Sequence, residues 1–272
     1  MDEIRIKELK VFANHGVEQQ EQENGQDFFV NAVLYTDTCG AGMTDKLEET
    51  TNYSVVCHFI NRFMQQNTYK LIETAAEHLA RELLLQFPLV KELDLEIRKP
   101  SAPIGLPFSS VSVKIHRGWH KVFVAFGSNQ GDKEAHIERG LAQLNTYPGI
   151  IVEKSSEIVR SAPYGGVEQE EFLNGVVYLR TYLSPWELLT VLHEIEASEN
   201  RERKVHWGPR TLDLDIIFYD NLVLDEEKLC IPHIDMQNRD FVLLPMMELA
   251  PYKRHPITGK SVQEMATELR SR

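Results

Sequence analysis

Trp207-Gly208-Pro209-Arg210-Thr211-Leu212-Asp213-Leu214-Asp215 is the most informative stretch of this 272-residue chain. From Thr211 to Phe218 polar and apolar residues alternate, and a strand sends alternate side chains to opposite faces. Leu212, Leu214 and Ile216 then share a face that can be buried. Asp213 and Asp215 share the other, roughly 7 Å apart at about 3.4 Å of rise per residue. Two carboxylates that close repel each other unless cations sit between them. Mg²⁺ takes oxygen ligands, commonly one or two carboxylates together with substrate phosphates. Arg201, Arg203, Lys204 and Arg210 lie just upstream, and metal-binding acids beside phosphate-binding cations suggest a nucleoside triphosphate site. The alternative is an exposed strand face whose acids pair with neighbouring arginines.

The remainder of the composition narrows the classes. A chain of 272 residues, 42% hydrophobic and 26% charged, fits a soluble globular protein with two domains of ordinary size. The formal net charge is −12, with 12 Lys+Arg against 17 Asp+Glu in residues 1–118, so the two halves share it as −5 and −7. That excludes a basic surface of the kind nucleic-acid binding needs. It also makes the local arginine group stand out. Three cysteines, Cys39, Cys57 and Cys230, have no metal-ligand spacing and read as thiols of a reducing compartment. Charged residues follow Met1 at once and no apolar run approaches membrane-spanning length, so a cytoplasmic protein with no signal peptide is expected.

In the first half, Ile4–Ala13 and Asp27–Thr36 read as strands that pair as an antiparallel hairpin, with the polar Glu18–Gln26 segment as a solvated loop between them. Val56, Ile60, Phe63 and Met64 keep helical spacing, as do Ala75, Ala76, Leu79, Leu83 and Leu84. Leu93–Ile97 and Val111–Ile115 are further strands, separated by a proline-marked loop. The order ββααββ predicts an α+β domain with an antiparallel sheet. A sheet of four strands leaves open edges, and such sheets often close by joining neighbouring copies. Lys99 at a strand end, Glu73 in a first helical turn, Glu21 in the acidic loop and Tyr53 at a helix start are each unremarkable alone.

In the second half Lys121–Phe126 is a strand ending in Gly127-Ser128-Asn129, a turn that can cradle phosphate or simply join strand to helix. Ile137, Leu141 and Leu144 give a helix, and Ile150–Val159 and Leu173–Tyr182 read as strands. Ser184-Pro185-Trp186-Glu187 is a capping box with proline at the first helical position. Glu196 falls at the end of that helix, where the dipole disfavours a carboxylate; it is a candidate nucleotide-site residue or a partner of Arg201. Ser261–Arg272 reads as a polar helix. Strand-helix-strand-strand-helix-strand is the ferredoxin-like order.

The nine-residue motif resembles the signature of 6-hydroxymethyl-7,8-dihydropterin pyrophosphokinase, and the resemblance spans about residues 121–260. Gly127-Ser128-Asn129, Phe172-Leu173-Asn174, and Pro232-His233 through Asn238-Arg239-Asp240-Phe241 occur in the family's order. The resemblance implies that Asp213 and Asp215 hold two Mg²⁺ bridging ATP phosphates to a pterin hydroxyl. It implies that Arg201, Arg203, Arg210, His233 and Arg239, with Glu196 nearby, serve the triphosphate. Phe172 and Phe241 would sandwich the pterin ring and Asn174 read its polar edge, with Ser161, Tyr164 and Trp207 completing the pocket. The sequence departs from the family pattern at His206, where an arginine is expected, at Phe172 for tyrosine and at Ala162 for proline, and the charged loop is one residue short.

Residues 1–118 resemble dihydroneopterin aldolase. The pieces are His15-Gly16 with Glu21 and Gly25-Gln26, Thr44-Asp45, Thr51-Asn52-Tyr53, Leu71-Ile72-Glu73 and Ile97-Arg98-Lys99-Pro100. That resemblance implies a tunnelling fold with an active site shared between subunits of a homo-oligomer, a tetrameric ring or an octamer. Glu73 would anchor the amino-pyrimidine edge beside Thr51, Asn52, Leu71 and Ile72. Lys99 and Glu21 would act through water on the side-chain hydroxyl, and Tyr53 would handle the proton delivered at the ring's C6 side. The dihydropterin C=N can accept the electrons of retro-aldol cleavage, so no cofactor is expected there, and epimerisation is an expected side activity. His15 reads as a residue that shapes the turn. The expectation is a bifunctional folate-biosynthesis enzyme, with an aldolase domain at 1–118 and a pyrophosphokinase domain at 119–272. Two other readings make the first half a non-catalytic assembly module, or the second a nucleotide-binding regulator; retention of the acid–base residues and of both aspartates argues against them.

Overall fold

A computed structural model describes residues 1–162, 170–199 and 210–271. The chain separates into two compact units, Met1–Trp119 and His120–Arg272.

In the first unit β1 (Asp2–Ala13), β2 (Gln26–Thr36), β3 (Glu92–Lys99) and β4 (Val111–Gly118) form one sheet in the order β1-β2-β3-β4, antiparallel throughout. Alternation decides its faces. Phe28, Val30, Ala32 and Leu34 of β2 and Leu93, Leu95 and Ile97 of β3 are buried. Against them pack α3 (Tyr53–Gln66) through Val56, Ile60 and Met64, and α4 (Ile72–Gln86) through Ala75, Ala76, Leu79 and Leu83. Each of the Phe, Val, Leu, Ile and Met side chains among them contributes roughly 1.5–3 kcal/mol by leaving water. Asn52 caps α3, its side chain accepting from the Ser54 and Val55 amides. The same alternation carries Lys99 onto the buried side, one step beyond Ile97, and leaves it 8% exposed.

The segment expected as a solvated loop contains α1 (Gln19–Asn24), closed by a capping box between Glu18 and Glu21. Its six residues, Gln-Gln-Glu-Gln-Glu-Asn, include no apolar side chain, so no apolar period announces it. A second short helix, α2 (Cys39–Thr44), buries no apolar side chain and shows no period either.

In the second unit β5 (His120–Ser128), β6 (Ile150–Ser155), β8 (Phe172–Thr181) and β9 (Asp213–Tyr219) make a sheet in the order β6-β8-β5-β9, with β7 (Val159–Ser161) on β8. All pairs are antiparallel. With crossover helices α5 (Lys133–Thr146) and α6 (Pro185–Ser198), this is the ferredoxin-like arrangement expected. Past β9 the chain adds a small hairpin, β10 (Leu224–Glu226) and β11 (Leu229–Ile231), then α7 (Asp240–Leu249) and α8 (Val262–Arg270). The two last helices cover the second face of the sheet, burying Phe123, Val176 and Phe218 against Val242, Leu243, Met246, Val262 and Met265. The expected polar helix at the C-terminal end is thus amphipathic. Helix α7 contains Pro245 and was not read from the sequence; its apolar run, Phe241–Met247, is too continuous to show a period.

Candidate functional sites

The first unit brings Lys99 and Glu21 together. The Lys99 Nζ lies 2.5 Å from Glu21 Oε1, and each side chain is 9% exposed. Nζ also donates to the His15 carbonyl at 3.4 Å and sits 5.9 Å from the Phe28 ring centroid. Burial alone would raise the Glu21 carboxyl, but the Lys99 hydrogen bond and charge, with the Glu18 amide and Gln26, hold it below its ordinary range. The Glu21 carboxylate is therefore favoured, and the Lys99 Nζ is held against it at the end of β3. Gly16 makes this possible, since a Cβ there would collide with the Glu21 carboxylate. Thr51 is 3% exposed, with its Oγ1 buried and unpartnered among the described residues. Ile72 is buried, whereas Tyr53, Leu71 and Glu73 are exposed.

The second unit builds its site from cross-strand registry. Asp213 lies opposite Gly127 and Asp215 opposite Ala125 on β5. Beyond Gly127, on β8, comes Asn174. The acids therefore face the two smallest available neighbours, and open volume remains above them. A Cβ at Gly127 would stand 2.7 Å from Asn174 Oδ1. The pocket is lined by Asn174, Phe172, Ser161, Arg210, Asp213, Asp215, Arg239 and Phe241, with Ala162 and Val242 at its side. Asn174 Nδ2 donates to Ser161 Oγ at 2.8 Å. Arg210 pairs with Asp213, and the Arg239 guanidinium lies 5.8 Å from the Phe241 ring while its Nε holds Asp235 at 3.2 Å.

Enclosure by the protein, and next the Asp213 charge, push the Asp215 carboxyl well above its ordinary range. A carboxylate pair under that strain fits a cation between or beside its members. No cluster of three or more His, Cys, Asp or Glu suits a metal among the described residues, so two carboxylates completed by phosphate oxygens is the donor set this site offers. His233 Nε2 stands 4.0 Å from Asp215 Oδ2, with its pKa lowered to about 4 by burial and then by Arg239.

Two expectations change. Glu196 is 2% exposed, and its Oε1 accepts the Leu214 amide at 2.8 Å. It underpins β9 between the two aspartates, and among the described residues it is not one of those lining the pocket. That partner also explains a carboxylate near a helix C-terminus. Ser128 and Asn129 are buried as well, so the turn does not open as a phosphate cradle. Asn129 instead clasps Arg210, its amide donating to the Arg210 carbonyl at 3.0 Å and its Oδ1 accepting the Arg210 amide at 2.7 Å. Ala125 and Val242 were missed, since a small or apolar residue announces a pocket only through its register. Arg201, Arg203, Tyr164 and Trp207 lie outside the described residues.

The second unit is therefore a ferredoxin-like α+β domain with an acidic, aromatic-flanked pocket beside arginines, the form of a phosphate-transferring site. The chain belongs to the 7,8-dihydro-6-hydroxymethylpterin-pyrophosphokinase family, whose sequence profile matches residues 123–251. The dihydroneopterin aldolase profile matches residues 4–116. A 2-amino-4-hydroxy-6-hydroxymethyldihydropteridine pyrophosphokinase of Pseudomonas aeruginosa is 40% identical over 145 residues, 53% of this chain and 89% of the relative. The bifunctional protein FolKE of Lactococcus lactis is 44% identical over 146 residues, 53% of this chain and 42% of that protein. The folic acid synthesis protein fol1 of Schizosaccharomyces pombe is 30% identical over 285 residues, covering 100% of this chain and 37% of the relative. The chain thus spans less than half the length of these last two relatives.

Proposed function

We propose that the protein carries out two consecutive steps of folate biosynthesis, with residues 1–118 as a dihydroneopterin aldolase domain and residues 119–272 as a pterin pyrophosphokinase domain. The observation that carries the reading is the row Asn174–Gly127–Asp213 across three strands, with Phe172 and Phe241 lining the same pocket. A ring-reading amide and paired carboxylates on one sheet face suit a flat heterocycle whose hydroxyl must meet a polyphosphate.

In the first step the buried Lys99–Glu21 pair takes the proton of the side-chain hydroxyl through water. The carbon–carbon bond breaks, its electron pair passes into the ring C=N system, and glycolaldehyde leaves. Proton return to the side-chain carbon attached to C6, with Tyr53 in attendance, gives 6-hydroxymethyl-7,8-dihydropterin. Re-addition of the side-chain carbon attached to C6 to the opposite face of the glycolaldehyde carbonyl before it departs, with the proton returned to the re-formed hydroxyl, accounts for an epimerase side activity. Glu73 anchors the amino-pyrimidine edge by two N–H···O bonds. Its exposure, and that of Tyr53 and Leu71, fits a pocket completed by a second copy of the chain. The half-exposed edge strand β4 offers the same copy a pairing surface.

In the second step the hydroxyl attacks the β-phosphorus of ATP, the pyrophosphoryl group moves to oxygen and AMP leaves. Arg210, Arg239 and His233, with Arg201 and Arg203, bind the triphosphate and offset charge on the transferring group. Asp213 and Asp215 would hold Mg²⁺, two ions in this reading, and the metal when bound would neutralise phosphate charge and polarise phosphoryl oxygens. Exposed or half-buried cysteines without disulfides suit the cytoplasm. Among the described residues no helix is long and apolar enough to cross a membrane.

The test is to supply 7,8-dihydroneopterin and Mg-ATP to the purified protein and measure glycolaldehyde and AMP. Both should appear. Glycolaldehyde without AMP would leave only the aldolase half of the reading, and AMP dependent on added 6-hydroxymethyl-7,8-dihydropterin only the other.

A further inference from the structure

We propose that His15 is a positioning residue of the first unit, whose ring nitrogen locks the segment leading into α4 to the turn that holds Lys99 and Glu21. This rests on the aldolase reading and deepens it.

Four bonds make the turn a junction. The His15 ring Nδ1 accepts the Tyr69 amide at 3.1 Å, and the next amide, Gly16, donates to the Tyr69 carbonyl at 3.0 Å. Residues 15–16 and residue 69 thus grip each other from both sides. The His15 carbonyl receives the Lys99 ammonium, and the Gly16 carbonyl receives Gln22 Nε2 at 2.8 Å, one residue past Glu21. Tyr69 stands four positions before Glu73. Its ring lies nearly parallel to His15 at 5.7 Å and 20°, and to His78 of α4 at 5.3 Å and 17°. One buried residue therefore touches the approach to the pterin anchor through its ring Nδ1 and the Lys99 ammonium through its backbone carbonyl.

The histidine is 0% exposed, and a buried aromatic ring also packs; it meets Phe28 edge-on at 5.4 Å. Packing and positioning make different demands on a substitute. An acceptor is needed at Nδ1, so the neutral ring carries its proton on Nε2. Burial, then the Lys99 charge, hold its pKa down to about 4, which keeps that acceptor available at neutral pH. Asparagine carries an acceptor at the corresponding position and lacks the ring. Phenylalanine keeps a ring and lacks the acceptor.

The experiment is a comparison of His15→Asn and His15→Phe in the full chain. Glycolaldehyde release from 7,8-dihydroneopterin is resolved into kcat and KM, with thermal melting as the control for folding. Positioning predicts that His15→Asn retains most of the parent's kcat, while His15→Phe loses about 10- to 100-fold, the scale of misplacing a catalytic group by an ångström. Should the phenyl ring not fit, His15→Leu is read in its place with the same expectation. Parental kcat in the apolar variant, or an equal fall in both variants, overturns the proposal and leaves the aldolase reading intact. A parent protein that releases no glycolaldehyde overturns the aldolase reading first, and the positioning role with it.

Discussion

The Lys99 ammonium and the Glu21 carboxylate meet at 2.5 Å in a setting where each side chain is 9% exposed. Removing one member of such a pair strands the other charge away from water. The lysine is not needed for the fold's pattern, since Leu93, Leu95 and Ile97 already fill the buried face of β3. An ion pair at that position is a cost the core did not require, which is what an acid–base pair looks like.

Lys99→Met keeps the stem and removes the charge. Glycolaldehyde release should fall by at least about 10²-fold, the lower bound of general acid–base assistance. Melting should also drop, because Glu21 is left unpaired. Adding Glu21→Gln should recover melting temperature and leave activity low, and activity restored by the double change would contradict the role.

Gly127→Ala tests the open row on the second unit's sheet. The added methyl would stand 2.7 Å from Asn174 Oδ1. In steady-state AMP release, KM for the pterin should rise about tenfold, at the lower end of what one methylene is worth in a fitted site, with KM for ATP little altered. An unchanged pterin KM would remove Asn174 from ring recognition.

Glu196 supports β9 through the Leu214 amide. Glu196→Ala should cost about 1–3 kcal/mol in denaturant unfolding, because the buried Leu214 amide loses its acceptor. Glu196→Gln, which still accepts, should cost much less. A change confined to KM for ATP in both variants, with no loss of stability, would return the residue to the nucleotide site.

Acid should weaken the protein through its buried histidines. His15 and His233 are held down to about 4, by burial and then by Lys99 and Arg239 respectively. Between the unfolded value of 6.5 and about 4, the unfolded chain binds protons that the folded protein refuses, so stability is full above this window and falls as pH drops through it. Each histidine contributes on the order of 3 kcal/mol at most. Glu21 is lowered instead, so its contribution persists above its unfolded value and is lost only as pH falls further. Melting temperature followed from pH 7 to 4 should show the loss, and His15→Asn should flatten it for the first unit.

How much of this the sequence carried depended on periodicity. The main strands of the two large sheets and helices α3, α4, α5 and α6 were legible because each buries one face with a clean period, as Val56, Ile60 and Met64 do in α3, whereas Ile150–Val159 divides into β6 and β7 and the β10–β11 hairpin went unread. Helices α1 and α2 bury no apolar side chain and α7 is apolar nearly all round, so no period marked them. At the sites, charged residues at strand ends announced themselves: Asp213, Asp215 and Lys99 stand where expected. Residues acting by shape or through a backbone amide did not. Gly127 and Ala125 matter because of what lies opposite them, and Glu196 and Asn129 because of amides that approach from distant positions.

The most direct test of the two-step reading is AMP release from 7,8-dihydroneopterin and Mg-ATP, in the parent and in the Lys99→Met and Asp213→Ala variants. The parent should release glycolaldehyde and AMP. Asp213→Ala should release glycolaldehyde alone. Lys99→Met should release neither, and should regain AMP release when 6-hydroxymethyl-7,8-dihydropterin is supplied. AMP released from 7,8-dihydroneopterin by the Lys99→Met variant at the parent's rate would contradict the account.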